Sequence, residues 1–251
     1  MTVDVETKFV VLTTNRSGSE WLISTLNSLP GVTAQGELFL PRARVSERRW
    51  DSNFAHRRFI ETKPKGLTFR PFAVFSYLDA LYRTPGAVGF KLMYKQLGLY
   101  PEILAYLIRH RIRVVHLVRR NHLDVLLSYA VKAKIGQAHL LSGQSAPEDI
   151  RVELDTENLL RQLEWLQKQR SLARKLLSWC RLPHLEVAYE DLLRDQAHFR
   201  QIWDFLSIRI EEHMPQSTLV KIRREGQRNV INNYDQVKAV LAHSKFAGLL
   251  E

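Results

Sequence analysis

Apolar residues first cluster at Phe9-Val10-Val11-Leu12, a short unbroken run typical of a strand buried on both faces of a parallel sheet. The run ends in the small-residue segment Thr13-Thr14-Asn15-Arg16-Ser17-Gly18-Ser19. Trp21, Leu22, Leu26 and Leu29 then recur at helical spacing until Pro30-Gly31 stops the helix. The chain therefore opens on a strand, a loop and a helix. Val32-Thr33-Ala34 is briefly strand-like, and residues 41–66 are rich in Arg, Lys and Pro, so they read as an irregular excursion. The pattern predicts a helix over 72–82, a strand over 87–93, a helix over 100–110 and a strand over 113–118. Helical spacing resumes at Leu123, Leu126, Leu127 and Ala130. Gly, Ser, Pro and Asp mark 135–154 as a loop or lid. Asp155 then stands at the N-cap of a long helix running to about Trp179, and Leu185 to Tyr189 forms a further strand. Strands alternating with helices imply an α/β fold, a central parallel sheet flanked by helices on both faces. No linker stands out across residues 1–251, so one domain is expected.

Composition narrows the partners only a little. The net charge is +11, from 37 Lys and Arg against 26 Asp and Glu, which favours anionic ligands over cationic ones. A single cysteine, Cys180, rules out an internal disulfide framework and fits a reducing compartment. No apolar run approaches the roughly 18 residues of a membrane span. The polar, acidic start lacks the pattern of a secretory leader, so a cytoplasmic location is expected. The nine histidines are scattered, and no metal is expected.

Two segments carry candidate chemistry. A loop between a buried strand and a helix points backbone N–H groups and the positive end of the helix dipole at whatever sits above it, which suits phosphate. At Arg16 to Trp21, Gly18 permits close backbone approach, the Ser17 and Ser19 hydroxyls add donors, and Arg16 supplies charge. The segment lacks the second glycine and the lysine of a Walker A loop; an ordinary strand-to-helix turn would also use Ser and Gly. Further along, Arg120 stands just past a buried strand and Ser128 lies eight residues later on the next helix. An Arg fork at a strand end is suited to a second phosphate, whereas in isolation it is also an ordinary surface arginine.

Together the two segments resemble the PAPS-dependent sulfotransferase family, whose members use 3′-phosphoadenosine-5′-phosphosulfate. Asn15-Arg16-Ser17-Gly18-Ser19-Glu20-Trp21 is similar to the family's first signature, and Arg120-Asn121-His122-Leu123-Asp124 through Ser128 to its second. Fainter likeness continues through Gly36-Glu37-Leu38-Phe39, Gly89 to Met93 and Asn233 to Val237, in a manner closest to bacterial enzymes acting on carbohydrates or small metabolites. The resemblance implies a P-loop-like fold. Arg16, Ser17, Gly18, Ser19 and Trp21 would sit at the 5′ phosphosulfate, and Arg120 and Ser128 at the 3′-phosphate. Arg224 and Arg228, in a basic segment with Gly226, would close over that phosphate, although a solvated charge run also fits. Asn15 and His122 stand where the family has proline, and Glu20 where it has a hydroxyl residue.

Transfer of a sulfuryl group needs positioning and charge more than a metal, plus a base for the acceptor hydroxyl. Glu37, shortly after the strand-like Val32-Thr33-Ala34, is the candidate base, with a surface carboxylate in a loop as the plain alternative. Lys91, in an apolar strand where an unpaired charge would be costly, either stabilises the transferring group or forms a buried pair with a Glu. His116 reads as a satisfied core histidine. The implied partners are PAPS, with PAP as product, and a hydroxyl acceptor, a sugar before a lipid or polyketide-like alcohol. An ATP-using P-loop kinase and a non-enzymatic nucleotide or nucleic-acid binder remain as alternatives; no nucleic-acid motif is present. Oligomeric state has no signal.

Overall fold

The computed structural model describes residues 6–40, 57–62, 69–136, 140–141, 150–195, 197–208, 219–220 and 226–250. In chain order the elements are β1 (Thr7–Thr13), α1 (Ser19–Asn27), β2 (Val32–Glu37), α2 (Phe59–Thr62), α3 (Arg70–Leu81), β3 (Ala87–Met93), α4 (Tyr94–Leu99), α5 (Pro101–Arg109), β4 (Arg113–Val118), α6 (His122–Ile135), β5 (Leu140–Leu141), α7 (Leu159–Trp179), β6 (His184–Ala188), α8 (Tyr189–Arg194), α9 (Ala197–Leu206), β7 (Leu219–Val220), α10 (Gln227–Val230) and α11 (Tyr234–Ala242), then a short 3-10 turn at Ala247–Leu249. The chain divides into two compact units, Met1–Val118 with Lys175–Ser217, and Arg119–Arg174 with Thr218–Glu251.

The first unit holds a five-stranded sheet in the order β2-β3-β1-β4-β6, with every neighbouring pair parallel. Both faces are covered, which is why its strands read as unbroken apolar runs rather than alternating ones. Val10 and Leu12 of β1 face one core with Val88, Phe90, Leu92 and Val114, closed by α3 and α5 through Leu78, Leu81, Ile103, Tyr106 and Leu107. Phe9 and Val11 face the other, with Leu22, Ile23 and Leu26 of α1 and Phe199, Ile202 and Leu206 of α9. Gly89 in mid-strand has a packing reason: a Cβ there would stand 2.4 Å from the Phe9 ring.

Three buried phenols belong to the first of these cores. Tyr82 donates to the Phe9 carbonyl at 2.9 Å, Tyr77 to the Arg57 carbonyl at 2.6 Å and Tyr106 to Asp79 at 2.8 Å. Burial above all pushes each well above the ordinary tyrosine range. At Tyr106 the hydrogen bond to Asp79 adds to it.

The second unit packs α6, the first part of α7 and α11 around Leu123, Leu127, Val131, Leu159, Leu163, Val237 and Leu241. Its strand content is small: β5 pairs antiparallel with β7, and Val152 bridges to Ile231.

Several boundaries differ from expectation. Tyr189 opens α8 instead of ending β6, and β2 extends to Glu37. The hydrogen-bonded part of α7 starts four residues past Asp155, with Gln162 N–H donating to the Asn158 carbonyl at 3.0 Å. Asp155 instead accepts from the Asn158 N–H (3.1 Å) and side-chain amide (2.8 Å), capping the turn that leads in. Those bonds hold its carboxyl below the usual carboxylate range. Of the expected excursion over 41–66, only 57–62 lies within the described residues; of the loop over 135–154, residues 137–139 and 142–149 lie outside them.

Candidate functional site

The strand order reverses direction around β1: the chain steps from β1 to β2 and β3 on one side, then to β4 and β6 on the other. Ligands of open α/β sheets bind at the carboxyl ends of strands at such a reversal. The segment there is the loop from Thr14 to Gly18.

This loop is held in an uncommon conformation. Arg16 has φ +62° and Gly18 φ +84°, both left-handed. For Gly18 this region is free, but for Arg16 it carries strain that the surroundings must enforce. The Ser17 side chain is buried, within 2.6 Å of the Thr13 hydroxyl and 2.9 Å of the Thr14 carbonyl. The Thr13 hydroxyl in turn donates to the Leu117 carbonyl of β4 at 2.8 Å. Ser17 thus spends its hydroxyl inside the loop, so it is not the added phosphate donor expected from the sequence. Gly18 is the N-cap of α1 and offers no side-chain acceptor, and the first helical bond runs from Leu22 N–H to the Gly18 carbonyl at 3.1 Å. The preceding amides of Ser19, Glu20 and Trp21 therefore have no intrahelical acceptor.

Tyr189 decides why residue 18 is glycine. A Cβ at Gly18 would stand 2.2 Å from the Tyr189 ring. Trp21 packs edge-on against Tyr189 and Phe199, at centroid distances of 5.7 and 5.4 Å. The Trp21 side chain clamps α1 to α8 and α9. Tyr189 was not singled out in the sequence, where it closes an apolar strand run.

Next to the loop lies a buried charge cluster. Lys91 on β3, 2% exposed, pairs with Glu20 of α1 and stands 3.2 Å from Glu37. Glu37 also accepts from the Gln96 side chain at 3.2 Å, and Gln96 accepts from the Met93 N–H at 2.9 Å. A bulge brings Glu37 into place: Gln35 pairs with Phe90 but Glu37, not Gly36, pairs with Lys91. The extra residue turns Glu37 onto the face that Lys91 and α1 share. Glu37 is 2% exposed, so the expected loop carboxylate is instead a strand-end carboxylate locked in a network. Glu20, the residue at odds with the resemblance, is the partner that Lys91 requires. Two carboxylates around one ammonium leave the cluster with one formal negative charge in excess.

His116, fully buried on β4, lies 2.6 Å from the Tyr94 hydroxyl through Nε2 and 3.1 Å from Glu186 through Nδ1. It is a core histidine, hydrogen-bonded through Nε2, with the Glu186 carboxylate within ion-pair distance of Nδ1 but not in hydrogen-bond geometry.

The second candidate segment belongs to the other unit. Asn121 caps α6, accepting from the Asp124 N–H at 3.0 Å, and its amide donates to the Leu249 carbonyl at 2.8 Å. Arg119 pairs with Asp124 at 2.8 Å, and Gln227, fully buried, donates to the other Asp124 oxygen at 3.0 Å. The Asn and Asp of this motif therefore build the turn. Arg120 is exposed just before the cap and Ser128 is half-buried on α6. Arg228 is exposed beside the Tyr234 ring, 5.9 Å from its centroid; Arg224 lies outside the described residues. Among the described residues no group of three or more His, Cys, Asp or Glu is placed to hold a metal ion.

No protein-family model and no curated protein matches the chain. Among solved structures it is similar to the mouse sulfotransferase SULT7A1 complexed with PAP, at 15% identity and a TM-score of 0.45. The match covers 83% of this chain and 60% of that one, so this chain spans less than two thirds of that protein's length.

Proposed function

We propose that residues 1–251 form one P-loop-like sulfotransferase domain that transfers a sulfuryl group from PAPS to an acceptor hydroxyl. The observation that carries this reading is the loop after β1: a left-handed Arg16, a Gly18 cap with no side chain, and first-turn helix amides that have no intrahelical acceptor, at the sheet's reversal. Backbone donors and the helix dipole suit the 5′ phosphosulfate. Arg16 and Ser19 add side-chain contacts, and Ser17, Gly18 and Trp21 hold the loop. Arg120 and Ser128 take the 3′-phosphate, with Arg224 and Arg228 as closing contacts.

In the reaction the acceptor oxygen attacks sulfur in line, the bond to the phosphate oxygen breaks, and PAP leaves with the electron pair. Glu37 receives the acceptor's proton, which balances the excess negative charge of the Glu20–Lys91–Glu37 cluster. Lys91 steadies that carboxylate and the developing charge. Positioning and preorganised charge supply the catalysis, as in phosphoryl transfer. A carbohydrate or small metabolite is the acceptor and the cytoplasm the location.

Thermal unfolding with PAP, compared with ATP plus magnesium, tests this. A ligand at about 100 times its Kd stabilises by about 2.7 kcal/mol. Stabilisation by PAP is expected; stabilisation only by ATP–magnesium would make the protein a kinase, and only by nucleic acid a non-enzymatic binder. Arg120→Ala is expected to weaken PAP binding, whereas Glu37→Gln leaves binding in place and slows turnover about 100-fold or more, the usual share of a general base.

A further inference from the structure

Helix α7, Leu159–Trp179, is a single unbroken helix with one buried edge formed by Leu159, Leu163, Leu166, Ala173 and Leu177. Its other side is unusual for a protein surface. Trp165, Leu172 and Trp179 recur every seven residues and are 56%, 49% and 84% exposed. Seven residues make about two turns and about 10 Å of rise, so the three form one row along the helix. Arg161, Lys168 and Lys175, all exposed, repeat at the same interval and form a second row beside the first. Large apolar side chains left in water in register with cations mark an interaction surface.

The charges say which kind. The helix carries five Lys and Arg against one acid, Glu164, and Glu164 already pairs with Lys245 at 3.6 Å. A second copy of the helix would bring cation rows together with no acidic row to answer them, unlike helix pairs whose flanking charges alternate in sign. A nucleic-acid duplex would use the cations through its phosphates but leave the two tryptophans and Leu172 without a partner. An anionic lipid surface uses both rows: tryptophan rings settle at the headgroup level, and Lys and Arg reach the phosphates along their apolar stems. We infer that the exposed face of α7 docks the protein on anionic bilayers, lying in the interface. No helix of the described residues is long and apolar enough to cross one.

The full chain tests this by sedimentation with vesicles of equal parts phosphatidylglycerol and phosphatidylcholine, against phosphatidylcholine alone. Binding is expected only to the anionic vesicles and is lost at about 0.5 M salt, where screening is complete within a few ångströms. Each cation near an anionic leaflet strengthens binding about fivefold, so K168E/K175E lowers it by more than about 25-fold. W165S/W179S lowers it as well, while circular dichroism of both variants stays that of the parent. Brominated lipid quenches tryptophan emission in the parent and not in W165F/W179F. Equal sedimentation of the parent and K168E/K175E overturns the proposal. So does a concentration-dependent dimer in lipid-free solution that W165S/W179S abolishes, which assigns the face to a second copy, or binding of DNA fragments with no binding of vesicles.

Discussion

The two strand-to-helix turns solve the same local problem in opposite ways. The turn after β4 is relaxed: Asn121 caps α6 with its own side chain, and Arg119, Asp124 and Gln227 tie the turn together. The turn after β1 has no such cap. It holds Arg16 and Gly18 in the left-handed region, buries the Ser17 hydroxyl and leaves the first amides of α1 without intrahelical partners. A capped helix end is locally complete, whereas an uncapped one is not. Under the proposed function the first would meet an anion through the Arg120 side chain and the second through its backbone. The strain at Arg16 is held in place by the surrounding structure.

The contrast extends to the units behind the turns, and it can be broken by experiment. The largest effect is expected in alkali. Tyr77, Tyr82 and Tyr106 all lie in the sheet unit, and burial holds their protons there above the ordinary range near 10. The folded state then binds protons that the unfolded state has lost, so stability falls as pH rises through that range. Tyrosinate absorbance should appear together with loss of the sheet's circular dichroism; ionisation well before unfolding would contradict it.

Lys91→Met comes next. It leaves two carboxylates without their cation, at a cost of about 3–5 kcal/mol. Urea titration measures this, and adding Glu20→Gln and Glu37→Gln to the same chain should restore much of it. A triple variant as unstable as the single one would show that the cluster matters through packing alone.

Gly18→Ala and Gly136→Ala then sharpen the comparison directly. Both glycines have positive φ, +84° and +75°, but only Gly18 has a ring 2.2 Å from the missing Cβ. Gly136→Ala should cost about 1 kcal/mol from backbone conformation alone. Gly18→Ala should cost about 2–4 kcal/mol, because overpacking adds to the conformational penalty. Equal costs would remove Tyr189 as the reason for the glycine. The smallest effect belongs to the cap: Asn121→Ala should lose about 1 kcal/mol in the same titration.

Much of this was legible in the chain. Strand β3 and strand β4 fall on the expected residues because continuous apolar runs bounded by turns leave a buried parallel strand few alternatives. The position of the loop after β1 and of Arg120 after β4 followed from the same runs. Periodicity carries the fold because burial is a local demand, repeated at every second or every third and fourth residue.

Other features depended on partners far along the chain. Glu20 looks misplaced in a segment read as anion-binding until Lys91, 71 positions later, is seen against it. Glu37 reads as a loop carboxylate until the bulge at Gly36 turns it toward that same lysine. Gly18 owes its identity to the ring of Tyr189 as well as to its own backbone. The sequence by itself determined where the main strands and helices and the loop after β1 lie, since these answer to spacing along the chain. Which charges are paired, which hydroxyl is spent inside the loop and which face of α7 stays in water were decided only by the tertiary structure, because such terms depend on distances between residues that spacing does not encode.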